Sequence, residues 1–324
     1  MLRGSRSMTR WSFALVWALT VLLRSPAFAG ETQGVEGFLS SATRLMVFSP
    51  HPDDETLGAG GLIQRVLGLG GSAKVVFMTS GDGYPEGVEL EDHIRRPTAE
   101  DYREYGQERE GEARWVLGAL GMKERDIVFL GYPDGGLCRL LAGEHLSRRH
   151  PYVSPYTKRD SPPPSEAVLP KAEYDRNDLV QEIVRLLEEF HPSLVSFTRR
   201  EDAHPDHCST YVFVHEALRR AQEKQPSYKP TVLTFLIHYG QWPIGEESGT
   251  GSRLLPPKDF PKKDWVELSL SDAEMETKRK ALLQYSSQML VMGRFLLSFA
   301  RSNELFSLDS GRSEKNWNNA KCCP

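Results

Sequence analysis

Short apolar runs alternate with helix-patterned segments along most of this chain, and that alternation restricts the fold more than any other feature. Arg44–Ser49 runs into Pro50, and Ala73–Thr79 stops at Ser80-Gly81-Asp82-Gly83. Asp126–Leu130, Leu194–Thr198 and Thr231–His238 repeat the pattern, with Trp265–Leu268 as a further short candidate. Between them, Thr56–Leu69, Tyr102–Leu120, Asp175–Phe190 and Asp206–Ala221 carry apolar residues at helical spacing. Ser271–Asn303 reads as one long C-terminal helix, opened by a Ser271/Glu274 capping box. Strands that are apolar on both faces and followed by helices predict an α/β, Rossmann-like fold. Such a fold has a mostly parallel sheet with helices on both faces, and its site lies at the strand C-terminal ends, near a switch in strand order.

The first residues have a different character. Arg3, Arg6 and Arg10 precede the apolar run Trp11–Leu23, and Ala27-Phe28-Ala29 fits the small-x-small rule of signal peptidase. Residues 1–29 are therefore expected to be a cleaved signal peptide, giving an exported protein, periplasmic or extracellular, with no stable membrane span after cleavage. Loss of Arg3, Arg6, Arg10 and Arg24 moves the formal charge from −4 to −8, which offers no footprint for nucleic acid. One domain is expected over 30–310, followed by a polar tail over 311–324. Residues 135–172, rich in proline, break the strand–helix rhythm and read as an irregular insertion. Cys138, Cys208, Cys322 and Cys323 are too few for a disulfide scaffold, and the last two, adjacent in the tail, read as peripheral.

The chemistry concentrates in two motifs. His51-Pro52-Asp53-Asp54-Glu55 follows the first strand, and His204-Pro205-Asp206-His207 follows the fourth. Imidazole and carboxylate are ordinary zinc ligands, and a catalytic zinc keeps three protein ligands and an open position. His51 and Asp54 are spaced so that one turn aims both at a single ion, with His207 as the third ligand. Asp53 is then free to take a proton from water, and His204 to stabilise or protonate a departing group. Gly58-Ala59-Gly60-Gly61 lacks dinucleotide-binding spacing and reads as close helix–sheet packing. Asp134 reads as a turn former, and His238 as a strand-end histidine.

These motifs resemble the LmbE-like or PIG-L family of de-N-acetylases. Three weaker features add to the likeness: Arg109 and Glu112 on the helix after the second strand, Leu130–Leu137 (LGYPDGGL), and Lys278, Ala281, Tyr285, Ser287 and Gln288 late in the chain. The resemblance implies zinc on His51, Asp54 and His207, one ion per chain, with Fe²⁺ or Co²⁺ able to substitute. It implies Asp53 as general base, His204 polarising the carbonyl or stabilising the oxyanion, Asp206 orienting His204, and Arg109 on substrate hydroxyls. Where some members place a tyrosine two residues before the first histidine of the later motif, this chain has Asp202. The implied activity is removal of an N-acyl, in particular N-acetyl, group from an amino sugar or similar amine, so the expected partner is a small-molecule or glycan substrate. Competing readings are a zinc amidase on another amide such as a thiol conjugate, a non-catalytic glycan-binding module, and a two-histidine, one-carboxylate iron oxygenase.

Overall fold

The computed structural model describes residues 1, 34–91, 93–143, 149–244, 251–309, 322 and 323. The expected signal segment and most of the tail lie outside these. Residues 32–324 gather into one compact unit. Among the described residues no helix is long and apolar enough to cross a membrane.

The elements follow in order. Strand β1 (Arg44–Ser49) leads to α1 (Asp54–Gly68), β2 (Ser72–Thr79), α2 (Pro85–Glu91) and α3 (Ala99–Ala119). Then come β3 (Ile127–Tyr132), α4 (Leu137–Ala142), α5 (Arg176–Phe190), β4 (Leu194–Thr198), α6 (Pro205–Lys224) and β5 (Thr231–Phe235). The chain closes with β6 (Val266–Ser269), α7 (Asp272–Leu282), α8 (Ser286–Leu297) and β7 (Asn303–Leu308). The sheet has seven strands in the order β3-β2-β1-β4-β5-β7-β6. β1 to β5 are mutually parallel, while β7 runs antiparallel to both β5 and β6.

The strands are buried on both faces, and their side chains alternate between two cores. Leu45, Val47, Val75 and Phe77 face α1, α3 and α7; Met46, Phe48, Val76 and Met78 face α5 and α6. From β1 the chain steps outward to β2 and β3, then returns to lay β4 on the other side of β1. The β1/β4 boundary is thus the switch point, where the loops after the two strands leave a crevice.

α1 sits unusually close to the sheet. A β-carbon at Gly58 would overlap the Phe235 ring, and one at Gly61 the Leu270 side chain, so the glycine-rich stretch is a packing device. Inside α1 the backbone ladder is opened by a buried ion pair. Lys278 Nζ donates to Leu57 O at 2.8 Å and to Glu304 Oε1 at 2.6 Å, while Glu304 accepts from Gly61 N and Leu62 N at 2.6 and 2.9 Å. Both charges are fully paired, as burial requires.

Three expectations are corrected. The long C-terminal helix is two helices and a strand: the Ser271/Glu274 capping box opens α7 as expected, but the helix stops at Leu282. The break holds neither proline nor glycine. Tyr285 turns inward to Glu55, and the Glu112 carboxylate accepts Ser287 N at 2.8 Å, restarting the chain as α8. The strand expected to reach His238 ends at Phe235, because Asp202 takes the N–H groups of Ile237 and His238 at 2.9 and 3.0 Å. Cys322 and Cys323 are not peripheral. They form disulfides with Cys208 and Cys138, and Cys322 is buried.

The 135–172 insertion is helical at its start, where α4 buries Leu137, Leu140 and Leu141 against α6. Its described remainder, 149–172, is irregular but anchored. Tyr152 N donates to Tyr174 O at 3.0 Å, and Arg103 to Thr157 O at 2.7 Å. Asp82 after β2, Glu110 on α3 and Glu166 on the insertion line one cavity with Arg159. Burial, then repulsion from Asp134, pushes Asp82 up to about 7; burial, then repulsion from Glu110, pushes Glu166 up to about 8. These carboxyls bind protons more tightly folded than unfolded, so their contribution is fully present below about pH 4, the unfolded carboxylate range, and is lost as pH rises from there through about 7 to 8. Thermal melts across that window are expected to show a falling Tm, and Glu166→Gln is expected to flatten the fall; an unchanged slope would exclude Glu166 as its source.

Candidate active site

The loops after β1 and β4 meet at the switch point. His51 Nδ1, Asp54 Oδ2 and His207 Nε2 form a nearly equilateral triangle, with separations of 3.1 Å (His51–Asp54), 3.1 Å (His207–Asp54) and 3.2 Å (His51–His207). Tetrahedral ligands about 2.0–2.1 Å from a zinc ion stand about 3.3–3.4 Å apart, so these three atoms suit one small divalent ion. His204, His238, Asp134 and Asp206 surround the triangle, and three trios that combine them with His51, Asp54 or His207 are spaced to share an ion. All three triangle residues are buried.

The second nitrogen of each triangle imidazole meets a carboxylate. His51 Nε2 lies 3.1 Å from Asp134 Oδ1, and His207 Nδ1 lies 3.2 Å from Asp202 Oδ2. Protons on those nitrogens, each facing a carboxylate oxygen without an aligned hydrogen bond, leave Nδ1 of His51 and Nε2 of His207 their lone pairs for the triangle centre, as metal-ligating histidines require. Burial alone favours neutral imidazoles, but Asp202 and Asp54 raise His207 to about 9, and Asp134 raises His51. Burial likewise opposes ionisation of Asp54, yet His207 and His51 hold it well below the usual carboxylate range. The pocket thus attracts positive charge to its centre, and the donor set fits a divalent cation.

Asp53 caps α1 at φ 128°, a region costly for any residue with a β-carbon. Burial and the Asp54 charge raise its pKa well above the ordinary value, against the pull of Arg109. Arg109 is not a surface charge: it is buried and stands among the residues that line the cavity. It donates to Gly81 O at 3.0 Å and Pro52 O at 2.8 Å, and lies 3.5 Å from Asp53 Oδ2. Its place requires a glycine at 81, where a β-carbon would overlap the guanidinium.

His204 caps α6: its Nδ1 accepts the N–H of Asp206 at 3.2 Å, so the proton of the neutral ring sits on Nε2. Burial, then the neighbouring histidines, depress its pKa to about 2. A neutral N–H donor suits a developing oxyanion better than an imidazolium acid role. The Asp206 carboxylate does not reach His204 as expected. It accepts Gly135 N at 2.7 Å and Leu137 N at 3.1 Å, tying the Asp134 turn and α4 to α6.

Sequence reasoning passed over three residues. Asp202 replaces the family tyrosine with a fully buried partner for His207. Asp134, besides shaping its turn, accepts Gly83 N at 2.8 Å and faces His51. His238 lies in the cavity, 4.9 Å ring to ring from His207 and stacked on Phe295 at 5.0 Å. The usable signal was the need of each ligating histidine for a second acceptor. The cavity measures about 330 Å³; Asp53, Arg109, Tyr84 and Tyr156 stand among its lining residues, as do Leu57, Met292 and Phe295.

Residues 46–218 match the family described as PIG-L, GlcNAc-PI de-N-acetylase. The chain belongs to this family. A relative named 1D-myo-inositol 2-acetamido-2-deoxy-alpha-D-glucopyranoside deacetylase, from Mycobacterium sp. (strain JLS), is 26% identical over 248 residues, 74% of this chain and 67% of the relative. A relative of the same name numbered 1, from Saccharopolyspora erythraea, is 27% identical over 229 residues, 69% of each chain. Among solved structures, N,N'-diacetylchitobiose deacetylase from Pyrococcus horikoshii superposes with TM-score 0.51 at 18% identity, covering 83% of this chain and 85% of its own. GalB, the 4-carboxy-2-hydroxymuconate hydratase from Pseudomonas putida KT2440, gives the same TM-score of 0.51 at 16% identity, covering 85% and 99%. One fold therefore carries different reactions, and the site must decide between them.

Removing the carboxylate charge behind His207 in Asp202→Asn is expected to weaken divalent-metal binding, with Zn²⁺ as the probe, by about 10- to 100-fold, read by competition with a chromogenic chelator. Unaltered affinity would show that Asp202 does not set the His207 tautomer.

Proposed function

We propose that this chain is a metal-dependent hydrolase that removes an N-acyl group, an N-acetyl group in the first instance, from an amino sugar. One divalent ion, zinc on its ligand types, is assigned to His51, Asp54 and His207. The observation that carries the reading is the His51–Asp54–His207 triangle with Asp53 beside it in one cavity. A zinc ion held there supplies Lewis-acid polarisation and a water acidified from a pKa of about 15.7 to about 7.

The chain's own residues divide the remaining work. Asp53 takes a proton from the attacking water; its raised affinity for protons suits it both to hold that proton and to return it to the departing nitrogen. His204 offers Nε2–H to the carbonyl oxygen as the carbon becomes tetrahedral. The C–N bond then breaks, leaving a carboxylic acid and a free amine. Asp206 serves the site by holding the Asp134 turn, and Arg109 by holding the Asp53 loop.

The substrate class we favour is an N-acetylglucosamine glycosidically joined to a second group. The names of the Mycobacterium relative and the Pyrococcus structure both describe such compounds. In this chain the insertion brings Tyr156 to the cavity wall beside Gly83 and Gly135, where an aromatic side chain suits contact with a sugar. A zinc amidase acting on another amide would use the same centre and differ only in the cavity walls. We also propose export; two disulfides suit an oxidising compartment.

A panel of GlcNAc-inositol, N,N'-diacetylchitobiose and free N-acetylglucosamine, scored for free amine, tests the reading. Amine release is expected under strict anaerobiosis and is expected to stop with a chelator; an oxygen requirement would favour the iron-oxygenase reading. Asp53→Asn is expected to lower kcat by roughly 10² to 10⁴ while retaining Zn²⁺. Parent-level turnover in that variant would remove Asp53 as base, and a chain that binds every glycan but cleaves none would be a binding module. Tyr156→Ala is expected to raise KM for the disaccharide by about 2- to 10-fold, and to alter that for the monosaccharide less.

A further inference from the structure

The glutamate that ends His51-Pro52-Asp53-Asp54-Glu55 has no part in the chemistry above, yet it is fully buried. Its carboxylate is surrounded by donors. Oε2 accepts Asp53 N at 3.1 Å; Oε1 accepts Thr56 Oγ1 at 2.7 Å and the hydroxyl of Tyr285. Asp53 N can only donate, so Oε2 must accept it, and the carboxylate places a full negative charge there; the Thr56 and Tyr285 hydroxyls turn their hydrogens to Oε1. Tyr285 comes from the inward break between α7 and α8, so the C-terminal part of the chain reaches the site through Glu55.

The peptide unit that Glu55 holds is the one before the strained residue. Its N–H, from Asp53, enters Glu55, and its C=O, from Pro52, accepts the Arg109 guanidinium at 2.8 Å. Arg109 is fixed in turn by Gly81 O at 3.0 Å. One peptide group is thus gripped at both ends by opposite charges, next to a residue at φ 128°. Strain of about 1–3 kcal/mol persists only where the surroundings over-determine it.

We propose that Glu55 and Arg109 are positioning residues that clamp the Pro52–Asp53 peptide and thereby aim the Asp53 carboxylate at the reacting water. This rests on the reading of Asp53 as base. It departs from the expectation that Arg109 binds substrate hydroxyls, and it gives Glu55 a role in turnover.

The test compares Glu55→Gln, Arg109→Lys and Asp53→Asn in the full chain, with N,N'-diacetylchitobiose and GlcNAc-inositol as probes and bound Zn²⁺ counted for each variant. Glu55→Gln removes the negative charge that the Asp53 N–H meets, and Arg109→Lys replaces the planar fork that spans Pro52 O and Gly81 O with a single ammonium. Each is expected to lower kcat by about 10- to 100-fold through misplacement of the base, with KM and zinc stoichiometry within about twofold of the parent. A merely structural role would change the folded fraction and leave kcat per zinc-loaded molecule intact. The proposal is overturned if both variants keep kcat within about threefold while Asp53→Asn is inactive, or if Arg109→Lys raises KM alone. If Glu55→Gln does not fold, Arg109→Lys decides by the same split. Full activity in Asp53→Asn would overturn the base assignment, and the clamp with it.

Discussion

Balance of buried charge at the β1/β4 switch point is the constraint on which the rest of this structure depends. His51 and His207 are enclosed by Asp54, Asp134, Asp202 and Asp206, and all six are buried. Isolated carboxylates do not survive such burial. Here each faces an imidazole or a backbone N–H, and the unspent attraction points at the centre of a triangle sized for a small dication. The four acids arrive from different places: the loop after β1, the turn after β3, and the loop and helix after β4. Only a parallel sheet that reverses its strand order brings those ends together.

Around that centre the molecule holds α1 still. The helix supplies Asp54 and Glu55 and is capped by Asp53, so its register fixes these three acids together. Glycines bring it onto Phe235 and Leu270, and the Lys278–Glu304 pair enters its backbone ladder from α7 and β7. A buried ion pair is a poor source of net stability. Its geometric effect is plainer: it locks a helix already short of side chains to α7 and to the last strand, β7. Tyr285, on Glu55, makes the same connection at the other end of α1.

The periphery is where this chain becomes particular. The insertion brings Tyr156 to the cavity, and Asp206 anchors the insertion's first helix. Adjacent cysteines at the C-terminus staple α4 through Cys138 and α6 through Cys208, the residue after His207. These features border the site without entering its chemistry, so substrate choice can vary there while the centre stays constant.

The chain's own order determined a good deal. Strand–helix alternation gave the α/β class and the parallel strands, because apolar runs buried on two faces have few other solutions. The two histidine-containing motifs marked the ends of β1 and β4, since ligand spacing within one turn is local. Local periodicity misled at the C-terminus, where the apolar pattern through Ser271–Asn303 hides a break made by distant partners, Glu55 and Glu112. Asp202, Asp134 and His238 were visible as residues but not as participants, and Arg109 and Asp206 were visible without the backbone groups they hold. Each of those depends on a partner brought near by the sheet. Sequence sets which groups a segment carries and how it repeats; only folding, through the switch in strand order, decides which buried charge faces which.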